Sequence, residues 1–151
     1  SGGSGSPLCQ VYSHDDGHIW STPTVMPGPI GVEPKLRVLN KSGRLALSTG
    51  RPGIFLYVAN DPPTTWSRFN IAAAHNQLVK DKTLKFATDI PGEGTNGTTS
   101  YTGLAVSRAA GAGDTDAVYV TYDRLGAGWG TIGKGQVSAV FCMKLEIPAS
   151  I

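Results

Sequence analysis

Charge is scarce in this 151-residue chain: 16% of residues are charged, and 13 basic residues face 11 acidic ones. The basic residues are not gathered into a block, so the sequence carries no electrostatic footprint for nucleic acid. Its densest basic stretch, Lys80-Asp81-Lys82 with Lys85 after it, is diluted by Asp81 and reads as solvated surface. No apolar run approaches the roughly 18 residues that a helix needs to span a bilayer. Cysteine is almost absent. Cys9 and Cys142 stand far apart with no metal-ligand spacing. They read as two buried free thiols rather than as a disulfide that would nearly circularise the chain, and no metal is expected. The opening Ser1-Gly2-Gly3-Ser4-Gly5-Ser6 has neither the basic region nor the apolar stretch of a signal peptide. It reads as a flexible linker or an expression scar over residues 1–6, leaving 7–151 as the folded domain.

What the chain has in quantity is turn residues: 20 glycines and 10 prolines, together about a fifth of its length, with 40% hydrophobic residues between them. That profile suits one globular domain of short strands and turns. Strands are expected at residues 8–12, 35–39, 44–48, 54–58, 101–106, 117–122 and 137–147, where β-branched, aromatic and alternating apolar residues stop at turn signals. Asn40-Lys41-Ser42-Gly43 separates two of them as a hairpin turn would. Only residues 69–80, with Ala72-Ala73-Ala74 inside, look helical. Residues 86–100 form a long polar loop, the kind of segment in which function often sits. The class is all-β. Two glycosylation-type triplets, Asn40-Lys41-Ser42 and Asn96-Gly97-Thr98, fit a secreted or extracellular protein without demanding one.

One eight-residue segment is more specific. Ser13-His14-Asp15-Asp16-Gly17-His18-Ile19-Trp20 has the form S-x-D-x-G-x-x-W. Such a segment can close a hairpin on itself: the Asp15 carboxylate accepts backbone N–H groups, Gly17 takes a positive φ, and the Trp20 ring covers the turn. Forty-six residues on, Asp61 and Trp66 repeat the register, while Ala59 and Pro63 replace the serine and glycine. A spacing of that size is about one four-stranded propeller blade. A third stretch, residues 122–129, keeps only Gly126 and Trp129 and reads as coincidence. His14 and His18 read as exposed turn residues, because no third ligand sits at a useful spacing.

This repeat resembles the Asp-box, or BNR repeat, of sialidases and related β-propellers. In that family the box joins the third and fourth strands of a blade, so the resemblance makes Ser13, Asp15, Gly17, Trp20, Asp61 and Trp66 structural. It implies antiparallel four-stranded blades, about two and a half of them here against six in a complete sialidase domain. The remaining blades are then expected from a second chain or from a segment before this one. The order of motifs after the first box is similar to the end of a sialidase domain. Gly50-Arg51-Pro52-Gly53 stands where a carboxylate-binding arginine is expected. Ser100-Tyr101-Thr102-Gly103-Leu104 stands for the segment bearing the tyrosine nucleophile. Tyr119-Val120-Thr121-Tyr122-Asp123 stands for a strand ending in an acidic residue, and residues 140–147 resemble the closing strand.

The resemblance implies a glycoside hydrolase that removes a terminal sialic acid, or a related acidic sugar, with retention and without a cofactor. Arg51 would bind the sugar carboxylate, Tyr101 would attack the anomeric carbon, and Asp123 would orient an arginine, although the family more often has Glu there. A phenol suits this substrate because a neutral nucleophile is not repelled by the sugar carboxylate. The plain alternatives are a turn arginine for Arg51 and a packed strand-start aromatic for Tyr101. The family's acid/base Asp, its activating Glu and two further arginines have no counterpart here, so this chain by itself is expected to be inactive. Other readings are a different Asp-box glycosidase or polysaccharide lyase, a non-catalytic glycan- or protein-binding propeller, and a small β-sandwich with an incidental box.

Overall fold

The computed structural model describes residues 6–60, 65–92, 97–108, 113–126 and 136–149. The all-β expectation holds. Among the described residues nine strands, β1 (Pro7–Gln10), β2 (Thr24–Ile30), β3 (Val32–Val38), β4 (Leu45–Gly50), β5 (Ile54–Ala59), β6 (Trp66–Asn70), β7 (Gly103–Val106), β8 (Thr115–Arg124) and β9 (Ala139–Pro148), are joined by one α-helix, α1 (Ile71–Leu78), and a 3-10 turn at Lys82–Leu84. They form three antiparallel sheets in sequence order: β1-β2, β3-β4-β5-β6 and β7-β8-β9. The described strands do not close into a ring.

The middle sheet organises the others because β5 is buried on both faces, as its unbroken apolar run Ile54-Phe55-Leu56-Tyr57-Val58-Ala59 requires. Alternation sorts its side chains. Phe55 and Tyr57 join Leu47, Met26, Leu8 and Trp66 on the side of β1 and β2. Ile54, Leu56 and Val58 turn the other way, into the larger core with Leu104, Val118, Val120 and Tyr122 of the third sheet. Truncating Leu56, which is wholly buried, falls among the core deletions that cost about 2–5 kcal/mol.

The helix is shorter than the sequence suggests. Asn70 ends β6 and caps α1, its Oδ1 accepting from the Ala73 N–H at 3.0 Å. Ile71, Ala72 and His75 form the buried stripe. β2 runs through Pro27, Gly28 and Pro29. Proline is tolerated there because a strand with one neighbour needs only half its backbone donors. The hairpin turn at Asn40–Gly43 is pinned to the third sheet by Asp116, which accepts from Lys41 N at 2.7 Å, Ser42 N at 3.1 Å and Ser42 Oγ at 2.8 Å. Burial pushes the Asp116 carboxyl up, but these bonds and the nearby Arg44 charge outweigh it and hold the group below its ordinary value.

Both cysteines are free, and both are exposed, not buried as the sequence suggested. Cys9 lies in β1 of the two-stranded sheet and Cys142 in β9 at the edge of the third sheet, so each strand has a face that nothing described covers. No described helix is long and apolar enough to cross a membrane.

Candidate functional site

The first box folds as its residue types dictate. It connects β1 to β2, and Ser13 Oγ donates to Asp15 Oδ1 at 2.7 Å while accepting from Gly17 N at 2.8 Å. Asp15 Oδ1 also takes the Ile19 N–H at 2.9 Å. These contacts, the Ile19 bond foremost, hold the Asp15 carboxyl below its ordinary value. Gly17 has φ +90°, and Trp20 closes the turn by donating its indole N–H to Gly17 O at 2.9 Å. The Asp15 carboxylate is thus taken up by its own turn. His14 and His18 are exposed, as read from the sequence.

The second box lies between β5 and β6, the third and fourth strands of the middle sheet. Asp61 lies outside the described residues. Around it, Asn60 does the closing: its backbone N–H donates to Thr65 O at 3.0 Å, its Nδ2 to Thr65 Oγ1 at 2.7 Å, and its Oδ1 accepts from Ser67 Oγ at 3.1 Å. Trp66 is half-buried against the cluster of Met26, Leu47, Phe55 and Tyr57.

Arg51 and Asp123 come from two distant parts of the chain and both bond the segment Thr98-Thr99-Ser100 that leads into Tyr101. Arg51 sits in the turn between β4 and β5, where the Arg51–Pro52 peptide is cis and Arg51 itself has φ +51°. Its Nη2 donates to Thr99 O at 3.4 Å. Asp123, near the end of β8, accepts from Thr98 Oγ1 at 2.6 Å and from Thr99 N at 3.0 and 3.2 Å through its two oxygens. Asp123 and Arg51 therefore hold the two ends of the Thr99 environment, one its N–H and the other its carbonyl. Tyr101 N donates to Thr99 Oγ1 at 3.2 Å, and the residue is 54% exposed, which places it outside any packed interior.

The segment is forced close to β4. Ser100 is fully buried with φ +68°, and a Cβ on Gly50 would collide with the Ser100 carbonyl oxygen. Gly50 is therefore required here for close backbone approach. Thr99 was not singled out by the sequence reading, which named Thr98 only in a glycosylation-type triplet and Ser100 only as the start of the tyrosine segment. The one signal was their place in a polar loop next to Tyr101.

A second buried polar cluster lies on α1. His75 Nδ1 is 3.0 Å from Tyr122 Oη, and His75 Nε2 is 3.1 Å from Leu84 O. A carbonyl only accepts, so Nε2 carries the proton and Nδ1 accepts from the phenol. Phe86 and Phe141 close around the imidazole at ring separations of 4.9 and 4.5 Å. Burial, and then the charges of Arg124 and Lys85, push the His75 pKa down against the raising effect of the Leu84 bond. Burial pushes the Tyr122 phenol up to about 12, with Cys142 adding to it. This cluster is a satisfied core histidine that docks the helix.

The chain matches no protein-family model, no curated protein and no solved structure.

Proposed function

We propose that the chain is the C-terminal portion of a sialidase-like β-propeller hydrolase acting on a terminal sialic acid or related acidic sugar. The observation that carries this reading is that Arg51 and Asp123, from segments far apart in sequence, both bond the stretch that leads into Tyr101. The self-contained turn of the first box, and the position of the second between the third and fourth strands of a four-stranded sheet, support the propeller.

In this mechanism the Arg51 guanidinium pairs with the sugar carboxylate. The Tyr101 oxygen bonds to the anomeric carbon as the glycosidic C–O bond breaks, and the leaving oxygen takes a proton from an acid supplied by the missing blades. The phenol proton passes to a base on that same part. Water then cleaves the glycosyl–tyrosine bond, returning the phenol and releasing the sugar with its configuration retained. Asp123 acts as a positioning residue through Thr98 and Thr99. No cofactor enters the scheme, and an extracellular setting suits the substrate.

The test is Tyr101→Phe in the intact protein. Turnover is expected to vanish while the acidic sugar still binds, since only the nucleophilic oxygen is removed. An unchanged kcat would take Tyr101 out of the mechanism. A non-catalytic glycan-binding propeller is the second reading, favoured by the occupation of both Asp123 oxygens within the protein. It predicts that Tyr101→Phe changes nothing beyond binding.

A further inference from the structure

The two ends of α1 are held differently. Ile71 and Ala72, at its start, are wholly buried in the core with Ile54, Leu56 and Val58 of β5. In its second half His75 is the buried residue, while Leu78 is 70% exposed. Two sets of bonds tie this half down. One joins it to residues 84–89: His75 Nε2 donates to Leu84 O, Asn76 Oδ1 accepts from Phe86 N at 2.9 Å, and Asn76 Nδ2 donates to Phe86 O and Asp89 Oδ1, each at 3.2 Å. The other joins it to the third sheet, and among the described residues it is one hydrogen bond, from the Tyr122 phenol to His75 Nδ1 at 3.0 Å. The neighbouring segment adds only a long bond there, from Arg124 Nε to Lys85 O at 3.4 Å. Along this boundary lies a cavity of about 260 Å³, lined by His75, Leu78, Tyr122, Phe141, Cys142 and Lys144. It reaches the surface, since Leu78 and Cys142 are exposed.

We propose that this boundary is an acid-opened seam: protonation of His75 frees the second half of α1, together with residues 84–86, from β8 and β9 while the middle sheet stays folded. Neutral His75 fits because each ring nitrogen has the partner it needs. A proton on Nδ1 makes that nitrogen a donor facing the Tyr122 hydroxyl, so the phenol must turn away and give up its own acceptor. The new charge also lacks a counter-ion. The imidazole faces Arg124 of β8 and Lys85 of the neighbouring segment, and Lys144 and the Cys142 thiol of β9 stand around the cavity. β5 brings no titratable group to this side, because Tyr57 belongs to the opposite cluster. The acids of the neighbouring segment are bonded elsewhere, Asp81 to Thr83 and Asp89 to Asn76. Burial, then Arg124 and Lys85, hold the His75 pKa below its ordinary value, so the step falls below about pH 6.5. The bonds between α1 and residues 84–89 do not change with it, since Nε2 keeps its proton in both forms. The proton therefore weakens the seam and not the unit beside it. The inference involves no residue of the candidate sugar site and stands or falls apart from the proposed activity.

An eight-residue helix does not persist in water without its support, so release is read as lost amide protection. The test titrates the whole chain from about pH 7.5 to about pH 4.5 and follows the His75 ring-proton shift alongside amide protection factors corrected for intrinsic exchange. Protection at residues 75–79 and 86 is expected to fall at least tenfold as His75 gains its proton, while residues 55–58 of β5 keep theirs. His75→Phe should hold its protection over the same range. Residues 75–79 that stay protected once His75 is protonated overturn the proposal. So does a loss that strikes β5 equally at the same pH, or a ring that stays neutral until the whole chain unfolds. The same loss in His75→Phe overturns it too, and the wild-type titration decides the matter where that variant folds poorly.

Discussion

Asp123 bears more of the candidate site than its place near a strand end suggests. Its carboxylate takes one hydroxyl and one backbone N–H from residues 24 and 25 positions away, and so holds Ser100 in the left-handed region beside Gly50. A non-glycine residue at that φ costs about 1–2 kcal/mol and persists only where its surroundings over-determine it. Asp123→Ala leaves the Thr98 hydroxyl and Thr99 N–H without their charged acceptor and is expected to destabilise by about 2 kcal/mol. Urea unfolding checks the value, and amide exchange at residues 98–101 should quicken more than elsewhere. An unchanged midpoint would mean that Asp123 does not hold the segment. Arg51, Tyr101 and Asp123 were singled out in the sequence by a motif order that resembles a family's, and the structure adds that Arg51 and Asp123 both bond the Thr98–Thr99 stretch. Thr99 was not singled out, because threonine in a polar loop has no period and its partners lie far along the chain.

At the scale of elements, the strands read most clearly were those whose burial leaves a mark in composition. Ile54–Ala59 is apolar throughout because it is covered on both faces, and the hairpin of β3 and β4 is announced by Asn40-Lys41-Ser42-Gly43. β2 was harder to read through Pro27 and Pro29, and β6 took Phe69 from the expected helix because Asn70 caps at that point. His75 gave no signal in the sequence, although it fixes α1 to β8. Its folded pKa is depressed, so the unfolded chain binds its proton first. The stabilisation is complete above the unfolded value of about 6.5 and is lost as pH falls below it through the folded pKa. The melting temperature should therefore drop between pH 7.5 and 5 in the native chain, and His75→Phe should flatten that part of the profile. Parallel profiles for the two proteins would remove His75 from the acid response. Asp116 acts lower: its carboxyl is held below the ordinary range, so its contribution fades only on approach to pH 4 and below.

At the scale of the whole molecule, two, four and three strands stack as successive sheets, with the middle one sandwiched by apolar side chains from both neighbours. The sequence carried the all-β class and the order of most strands. It did not carry the exposure of Leu36 and Val38, because that depends on what lies over them and leaves no mark in local pattern. Nor did it show that the cysteines would be exposed, since an apolar strand face reads the same whether or not a neighbour covers it. The proposed function assigns binding of an acidic sugar to Arg51 and Tyr101 beside Thr99, and that is open to a direct measurement. Titrating the isotopically labelled chain with N-acetylneuraminic acid should move the amide resonances of Arg51, Thr99 and Tyr101, with a Kd of about 1 mM or weaker for a partial site. Its methyl ester, which lacks the charge, should leave them still. Equal shifts with acid and ester, or shifts confined to other residues, would contradict the account.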